Sequence, residues 1–175
     1  MDAQSLEFGE GSFDCVLCGF AVWFFPDIIR GVREMHRVLR PNGRLAFTTW
    51  AKSSHEPMME MMLDRVTRYG VPRPPSPPEP WVQCSEPEHL LTVLEKSGFR
   101  TTRALPQPAG YYITPEDWWT FLWGSAQRRR LGQLSPEALA RFRQEVLADV
   151  GRLHDGRGIW FDVSAVIGIG VKEDS

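Results

Sequence analysis

Cysteine is scarce in this sequence, membrane-length apolar runs are missing, and neither sign of charge dominates. The three cysteines, Cys15, Cys18 and Cys84, are an odd number and make no disulfide framework, so a reducing, cytoplasmic setting is expected. Cys15 and Cys18 form a C-x-x-C. They lie in an apolar strand, where residues three apart point to opposite faces, which suits small buried hydrophobes better than a shared metal or disulfide. The four histidines, His36, His55, His89 and His154, include no pair at metal-ligand spacing on one helical face, so no metal site is expected. The longest apolar run, Val16 to Pro26, is too short to span a bilayer. The polar, acidic N-terminus has no basic segment before an apolar stretch, so neither a membrane association nor a secretory signal is expected. A net charge of −2 gives no electrostatic footprint for nucleic acid. The one basic cluster, Arg128-Arg129-Arg130, reads as the charged end of a helix.

What is present is an ordinary globular composition, 42% hydrophobic and 24% charged, in 175 residues, enough for one domain with a real core. Residues 2–12 read as a loop punctuated by Gly9 and Gly11, with Leu6 and Phe8 as anchors. Phe13 to Phe20 is continuously apolar, as expected of a strand buried on both faces of a parallel sheet. Pro26 and Asp27 open a helix on which Ile28, Ile29, Val32, Met35, Val38 and Leu39 recur at helical spacing. Pro41-Asn42-Gly43 is expected to stop it, and Leu45 to Trp50 to form the next strand. Together these make one crossover unit of a parallel sheet.

Further along, the spacing predicts a helix over 56–69, rich in methionine. Pro72 to Pro80 holds six prolines and reads as an extended surface linker. Ser85 with Glu88 resembles a capping box opening a helix that Gly98 closes, followed by a strand from Phe99 to Leu105. Thr114-Pro115 and Ser135-Pro136 start two more helices, so 106–156 reads as a mostly helical insertion. From Ile159 to Val171 apolar residues alternate, predicting one last strand. Gly168-x-Gly170 lies inside it and opens no helix, so it is not a phosphate or cofactor loop.

Several stretches taken together resemble class I S-adenosylmethionine-dependent methyltransferases, in particular the small-molecule branch of ubiquinone and menaquinone biosynthesis. They are Asp2-Ala3…Leu6-x-Phe8, Ser12-Phe13-Asp14-x-Val16, Arg33-Glu34-Met35-x-Arg37-Val38-Leu39-Arg40-Pro41-Asn42-Gly43-Arg44-Leu45, and Thr48-Thr49-Trp50. The rest of the chain, from Ser97-Gly98-Phe99 to Gly168-Ile169-Gly170-Val171-Lys172, fits more loosely. The resemblance implies an α/β fold: the C-terminal part of a Rossmann-like methyltransferase sheet, mostly parallel with the last strand antiparallel, and a helical insertion. Residues 1–175 would then be a single partial methyltransferase domain, with 106–156 inserted within it. The family's Gly-rich loop and the acid that holds the cofactor ribose have no counterpart in these residues. A separate chain carrying the missing half, or sequence upstream of Met1 if the true start lies earlier, would supply them.

The same resemblance implies S-adenosylmethionine as cofactor once the domain is completed. Asp2 would accept from the adenine amino group and the Ala3 amide would donate to the ring, while Cys18, Gly19 and Phe20, at the carboxyl end of the first strand, would approach the cofactor. Trp23, Trp50, Met58 and Trp119 are candidate contacts for a small-molecule acceptor, against the simpler reading of core aromatics and core methionines. His55 is a weak candidate for a general base. The Asn-Pro-Pro-aromatic run of base-modifying enzymes is absent at Cys18–Ala21, which argues against a nucleic-acid base as substrate. Two functions remain open: methyl transfer to a small molecule, or a non-catalytic module that pairs through the exposed edge of its first strand, as a homodimer or with a partner chain.

Overall fold

The computed structural model describes residues 1–73 and 84–174. In chain order the elements are β1 (Phe13–Gly19), a 3-10 turn (Val22–Phe24), α1 (Ile28–Val38), β2 (Leu39–Trp50), α2 (Met58–Thr67), α3 (Pro87–Lys96), β3 (Thr101–Gln107), β4 (Gly110–Ile113), α4 (Pro115–Gly124), α5 (Arg128–Leu131), α6 (Pro136–Gly151), β5 (Ile159–Asp162) and β6 (Ala165–Val171). They form two compact units. Met1–Ser54, Ser76–Pro108 and Ser164–Ser175 make the first; His55–Pro75 and Ala109–Val163 make the second. The second unit therefore takes in α2 and a two-stranded antiparallel sheet, β4-β5, besides the helices of the expected insertion. Most of the proline-rich stretch of 72–80 lies outside the described residues.

The first unit is built on a four-stranded sheet in the order β1-β2-β6-β3. β1 and β2 are parallel, and β6 runs antiparallel to both β2 and β3. Three strands thus share one direction and the last opposes them, as the resemblance implies. Helix α1 forms because Ile28, Val32, Met35 and Val38 fall on one stripe, all buried, with Arg30 and Arg33 exposed opposite. Asp27 caps it, its Oδ1 accepting from the Arg30 amide at 2.9 Å. The far end is capped by a residue from the other end of the chain. Lys172 Nζ donates to the carbonyls of Arg37 (3.3 Å) and Leu39 (2.8 Å), a cation placed at the negative pole of the helix. Leu45, Phe47, Leu90, Leu94, Phe99 and Val166 join the α1 stripe to form the core.

Several boundaries differ from expectation. α1 ends at Val38 rather than at Pro41, and β2 begins at once, running 12 residues through Pro41-Asn42-Gly43. The extra residues are taken up where β1 pairs with β2: Phe13 faces Leu39, but Cys15 already faces Arg44, so a bulge lies between. β1 is not buried on both faces. Val16 and Cys18 pack on the core, whereas Cys15 is exposed and Leu17 is 76% exposed, because β1 is an edge strand and only one of its faces meets the α1 core. Ser85 does not cap α3; Glu86 holds that place without a side-chain bond, and Pro87 supplies the first turn. The alternating run 159–171 is two strands rather than one. β5 pairs with β4 in the second unit, and β6 enters the sheet of the first.

In the second unit, Met58, Met62 and Val66 of α2, Trp118 and Leu122 of α4, Leu131 of α5, Phe142, Val146 and Val150 of α6, and Ile159 and Phe161 of β5 form a separate core. Thr114 and Asp117 make a reciprocal capping box at α4, and Ser135 Oγ accepts from the Ala138 amide at 3.2 Å to cap α6. Arg65 on α2 pairs with Glu145 at 3.2 Å and with Asp149, both on α6. Among the described residues no helix is long and apolar enough to cross a membrane.

Candidate functional site

Residues 2–12 have little regular structure, yet they are held closely against α1. The Ser5 amide donates to the Asp2 carbonyl at 3.0 Å, closing a turn over Asp2-Ala3-Gln4-Ser5. The Gln4 amide donates to Asp2 Oδ1 at 2.9 Å, which fixes the carboxylate over the turn. Gln4 Oε1 accepts from the Asp27 amide at 2.7 Å, and the Gln4 carbonyl accepts from Arg30 Nε at 3.0 Å. Next along the loop, the Leu6 amide donates to Glu34 Oε2 at 2.8 Å, and the Leu6 and Phe8 carbonyls accept from Arg37. The Arg37 guanidinium bonded to Glu34 pulls the Glu34 carboxyl down to a pKa of about 2.

The carboxyl ends of β1 and β2 form the second part of the site. The Phe20 amide donates to both the carbonyl (3.0 Å) and the Oγ1 (3.1 Å) of Thr48. Phe20 has a φ of 51°, left-handed backbone that costs a non-glycine residue about 1–2 kcal/mol. This turns its ring, 36% exposed, onto Trp50 at 4.2 Å between centroids and towards Trp23 at 6.2 Å. Phe20, Trp23 and Trp50, separated in sequence, therefore form one aromatic group at the sheet's carboxyl edge. That is where ligands approach open α/β sheets.

The candidates on β1 divide by face. Cys18 turns its side chain to the core, and burial pushes its thiol pKa up, so only its backbone is placed for a ligand. At Gly19 an added Cβ would meet nothing nearer than Thr48 Oγ1 at 4.0 Å, ordinary contact. Packing therefore does not require glycine there, which leaves close approach of a ligand as a reason for it. Asp2 is exposed, and the Ala3 amide makes no hydrogen bond among the described residues. A carboxylate acceptor and a vacant amide donor side by side fit an adenine edge, which offers an amino donor and a ring-nitrogen acceptor.

The remaining candidates lie in the second unit. Met58 is fully buried in that unit's core and fills space there. Trp119 packs edge-on against Trp123 at 5.9 Å and lies under Arg143 at 5.6 Å. His55 lies between Phe121 and Phe161, at 5.1 and 5.3 Å, with a φ of 69°; burial lowers its pKa. His36 of α1 is only partly exposed. It stands edge-on to Phe99 at 4.7 Å, half-buried, and burial lowers its pKa as well. Cys15 is exposed rather than buried. No group of three or more His, Cys, Asp or Glu residues that could hold a metal ion occurs among the described residues. The sequence reading missed Gln4, Glu34, Arg37 and Thr48. The i,i+3 spacing of Glu34 and Arg37 announces an ion pair, but nothing local announces that a loop 28 residues away is its third partner.

Residues 1–47 match the family model described as a methyltransferase domain. A demethylmenaquinone methyltransferase of Deinococcus radiodurans is 33% identical over 110 residues, covering 57% of this chain and 46% of that protein. The enzyme of the same name from Staphylococcus epidermidis is 48% identical over 42 residues, 24% of this chain and 17% of that one. A ubiquinone/menaquinone biosynthesis C-methyltransferase of Hahella chejuensis is 41% identical over 54 residues, 31% and 22% respectively. In each case the match spans less than half of the relative's length. Among solved structures, a methyltransferase assigned to an antibiotic biosynthesis pathway of Anabaena variabilis superposes with a TM-score of 0.57 at 16% identity, over 96% of this chain and 70% of that one. A protein of Bacillus halodurans assigned as a methyltransferase gives 0.54 at 19% identity, over 99% and 76%. In its N-terminal sequence the chain is similar to the demethylmenaquinone and ubiquinone/menaquinone C-methyltransferases, and its fold is the one seen in these solved methyltransferases.

Proposed function

We propose that this chain carries the adenosine-binding and acceptor-facing part of an S-adenosylmethionine-dependent methyltransferase acting on a small molecule. The observation that carries the reading is the turn at Asp2–Ser5, with an exposed carboxylate beside the vacant Ala3 amide, in the segment that matches the family model. Asp2 accepts from the adenine amino group and Ala3 donates to the ring. The backbone of Cys18, Gly19 and Phe20 lies along the cofactor at the end of β1. S-adenosylmethionine, when bound, supplies a methyl group on an already activated sulfonium. The protein's part is therefore mainly to align the acceptor and keep water out. Phe20, Trp23 and Trp50 offer a flat apolar group for an aromatic or otherwise apolar acceptor. Titrating the purified chain with S-adenosylmethionine by calorimetry tests the reading. Binding that Asp2→Ala weakens supports it, and no heat at millimolar ligand overturns it for this chain.

A second reading, pairing through β1, rests on one observation. β1 is an edge of the sheet, and its Leu17 is 76% exposed. Unpaired apolar edges invite another strand. A second copy or a complementing chain laid along β1 would cover it, with or without methyl transfer. Light scattering coupled to size exclusion separates a paired chain from a monomer.

A further inference from the structure

We infer that Glu34 and Arg37 are positioning residues for the cofactor: the pair on α1 holds the Asp2–Ala3 turn in its binding-competent shape. This rests on the reading of Asp2 and Ala3 as adenine contacts. A loop of eleven residues with almost no regular structure ordinarily samples many conformations, and a ligand that needs one of them binds more weakly by the fraction of time that one is populated. Here the loop is not left free. The Glu34–Arg37 pair is bidentate, Arg37 Nε to Oε1 and Nη2 to Oε2, both at 2.8 Å. The same two side chains also bond the loop backbone at Leu6 and Phe8. Glu34 Oε2 takes the Leu6 amide at 2.8 Å, Arg37 Nη2 donates to the Leu6 carbonyl at 2.9 Å, and Nη1 donates to the Phe8 carbonyl at 2.8 Å. One ion pair thus holds both backbone polar groups of Leu6, one residue beyond the turn that Ser5 closes.

The geometry is specific to these side chains. The four bonds come from three nitrogens of one planar guanidinium, and a lysine ammonium, with three donors on a single atom, cannot make them all. The Arg37 carbonyl also takes the Gly11 amide at 3.1 Å, so the loop is tied down on both sides of the pair. Both side chains remain partly exposed, so solvent screening keeps the pair's contribution to folding modest.

The test compares the wild type with Glu34→Ala, Glu34→Gln and Arg37→Lys, measuring S-adenosylhomocysteine affinity by calorimetry and amide hydrogen exchange at Leu6. If the competent turn falls to about a tenth of the population, the apparent Kd rises about tenfold. Glu34→Ala and Arg37→Lys are expected to show that rise together with faster Leu6 exchange, at temperatures where each variant is fully folded. Glu34→Gln, which keeps an acceptor for the Leu6 amide, is expected to recover part of both. Glu116→Ala, which removes the Arg143–Glu116 pair of the second unit, is the control and changes neither. Wild-type affinity in folded Glu34→Ala overturns the inference, as does unchanged Leu6 exchange. If the wild type itself gives no heat with S-adenosylhomocysteine, the functional reading fails separately, and the positioning of an adenine contact falls with it. Leu6 exchange then reports only whether the pair orders the loop.

Discussion

Replacing Gly168 with alanine is the sharpest test of how the first unit's core is assembled. Gly168 lies on β6 between β2 and β3, on the face covered by α1 and α3. A Cβ placed there would come within 2.7 and 2.8 Å of Phe47 Cζ and Cε1, and within 3.2 Å of Leu90 Cδ2. Carbon atoms pack best at about 3.5–4.0 Å, so the ring would have to move by close to an ångström. Phe47 is 1% exposed, and Leu90 of α3 is fully buried beside it, so little room exists for that movement. Overpacking of this kind costs about 1–3 kcal/mol. Against it stands the gain of about 0.4–1 kcal/mol from restricting the unfolded chain when glycine becomes alanine. The net expectation is a loss of about 1–2 kcal/mol. At a typical urea dependence of about 2 kcal/mol per molar, the unfolding midpoint falls by about 0.5–1 M. Circular dichroism in urea reads the change, and exchange of β2 and β6 amides assigns it to this unit. In a Phe47→Leu background the same Gly168→Ala change should become nearly neutral, since the clashing ring atoms are gone. Gly124, where an added Cβ meets nothing within 4 Å, gives the contrast: Gly124→Ala should not destabilise. A Gly168→Ala protein as stable as the wild type would refute the argument.

Other expectations follow from single residues. Glu34 has its pKa lowered from 4.5 to about 2 by Arg37, so its contribution is present above 4.5 and is lost as pH falls towards 2; the stability gap between wild type and Glu34→Gln should close over that window in an acid titration. Gly19→Ala should leave the urea midpoint unchanged yet weaken cofactor binding, and equal affinity would show that the cofactor does not approach there. At pH 8 the exposed Cys15 should react quickly with a thiol reagent, whereas burial pushes the Cys84 thiol to about 12 and should protect it until the protein unfolds. If β1 pairs with another chain, Leu17→Lys should shift the species seen by light scattering to the monomer mass, and an unchanged mass would argue against that edge.

Much of the candidate site could be read from local signals. Asp27 announced the start of α1, and Thr114 and Ser135 announced the starts of α4 and α6, because a cap needs only residues three positions apart. Candidate site residues could be put forward from sequence where they are neighbours, as at Asp2-Ala3 and Cys18-Gly19-Phe20. The site was not legible where the partners are distant. The stacking of Phe20 on Trp50 depends on the parallel register that sets Gly19 opposite Thr48, and on the left-handed backbone at Phe20. The alternating run from Ile159 to Val171 misled because both of its halves are true strands; only their partners, β4 for one and β2 with β3 for the other, reveal the break.

The sequence by itself determined the α/β class, the run of elements in the first fifty residues and the family those residues resemble, since periodicity, capping and short motifs are encoded within a few residues. Tertiary structure alone decided what covers what. It set Lys172 over the carbonyl end of α1, laid Phe47 across the bare backbone of Gly168, and bound Leu6 to Glu34 and Arg37. It also left Leu17 open on the edge of the sheet. Those arrangements join residues far apart in the chain, and their energies exist only once the strands have chosen their order.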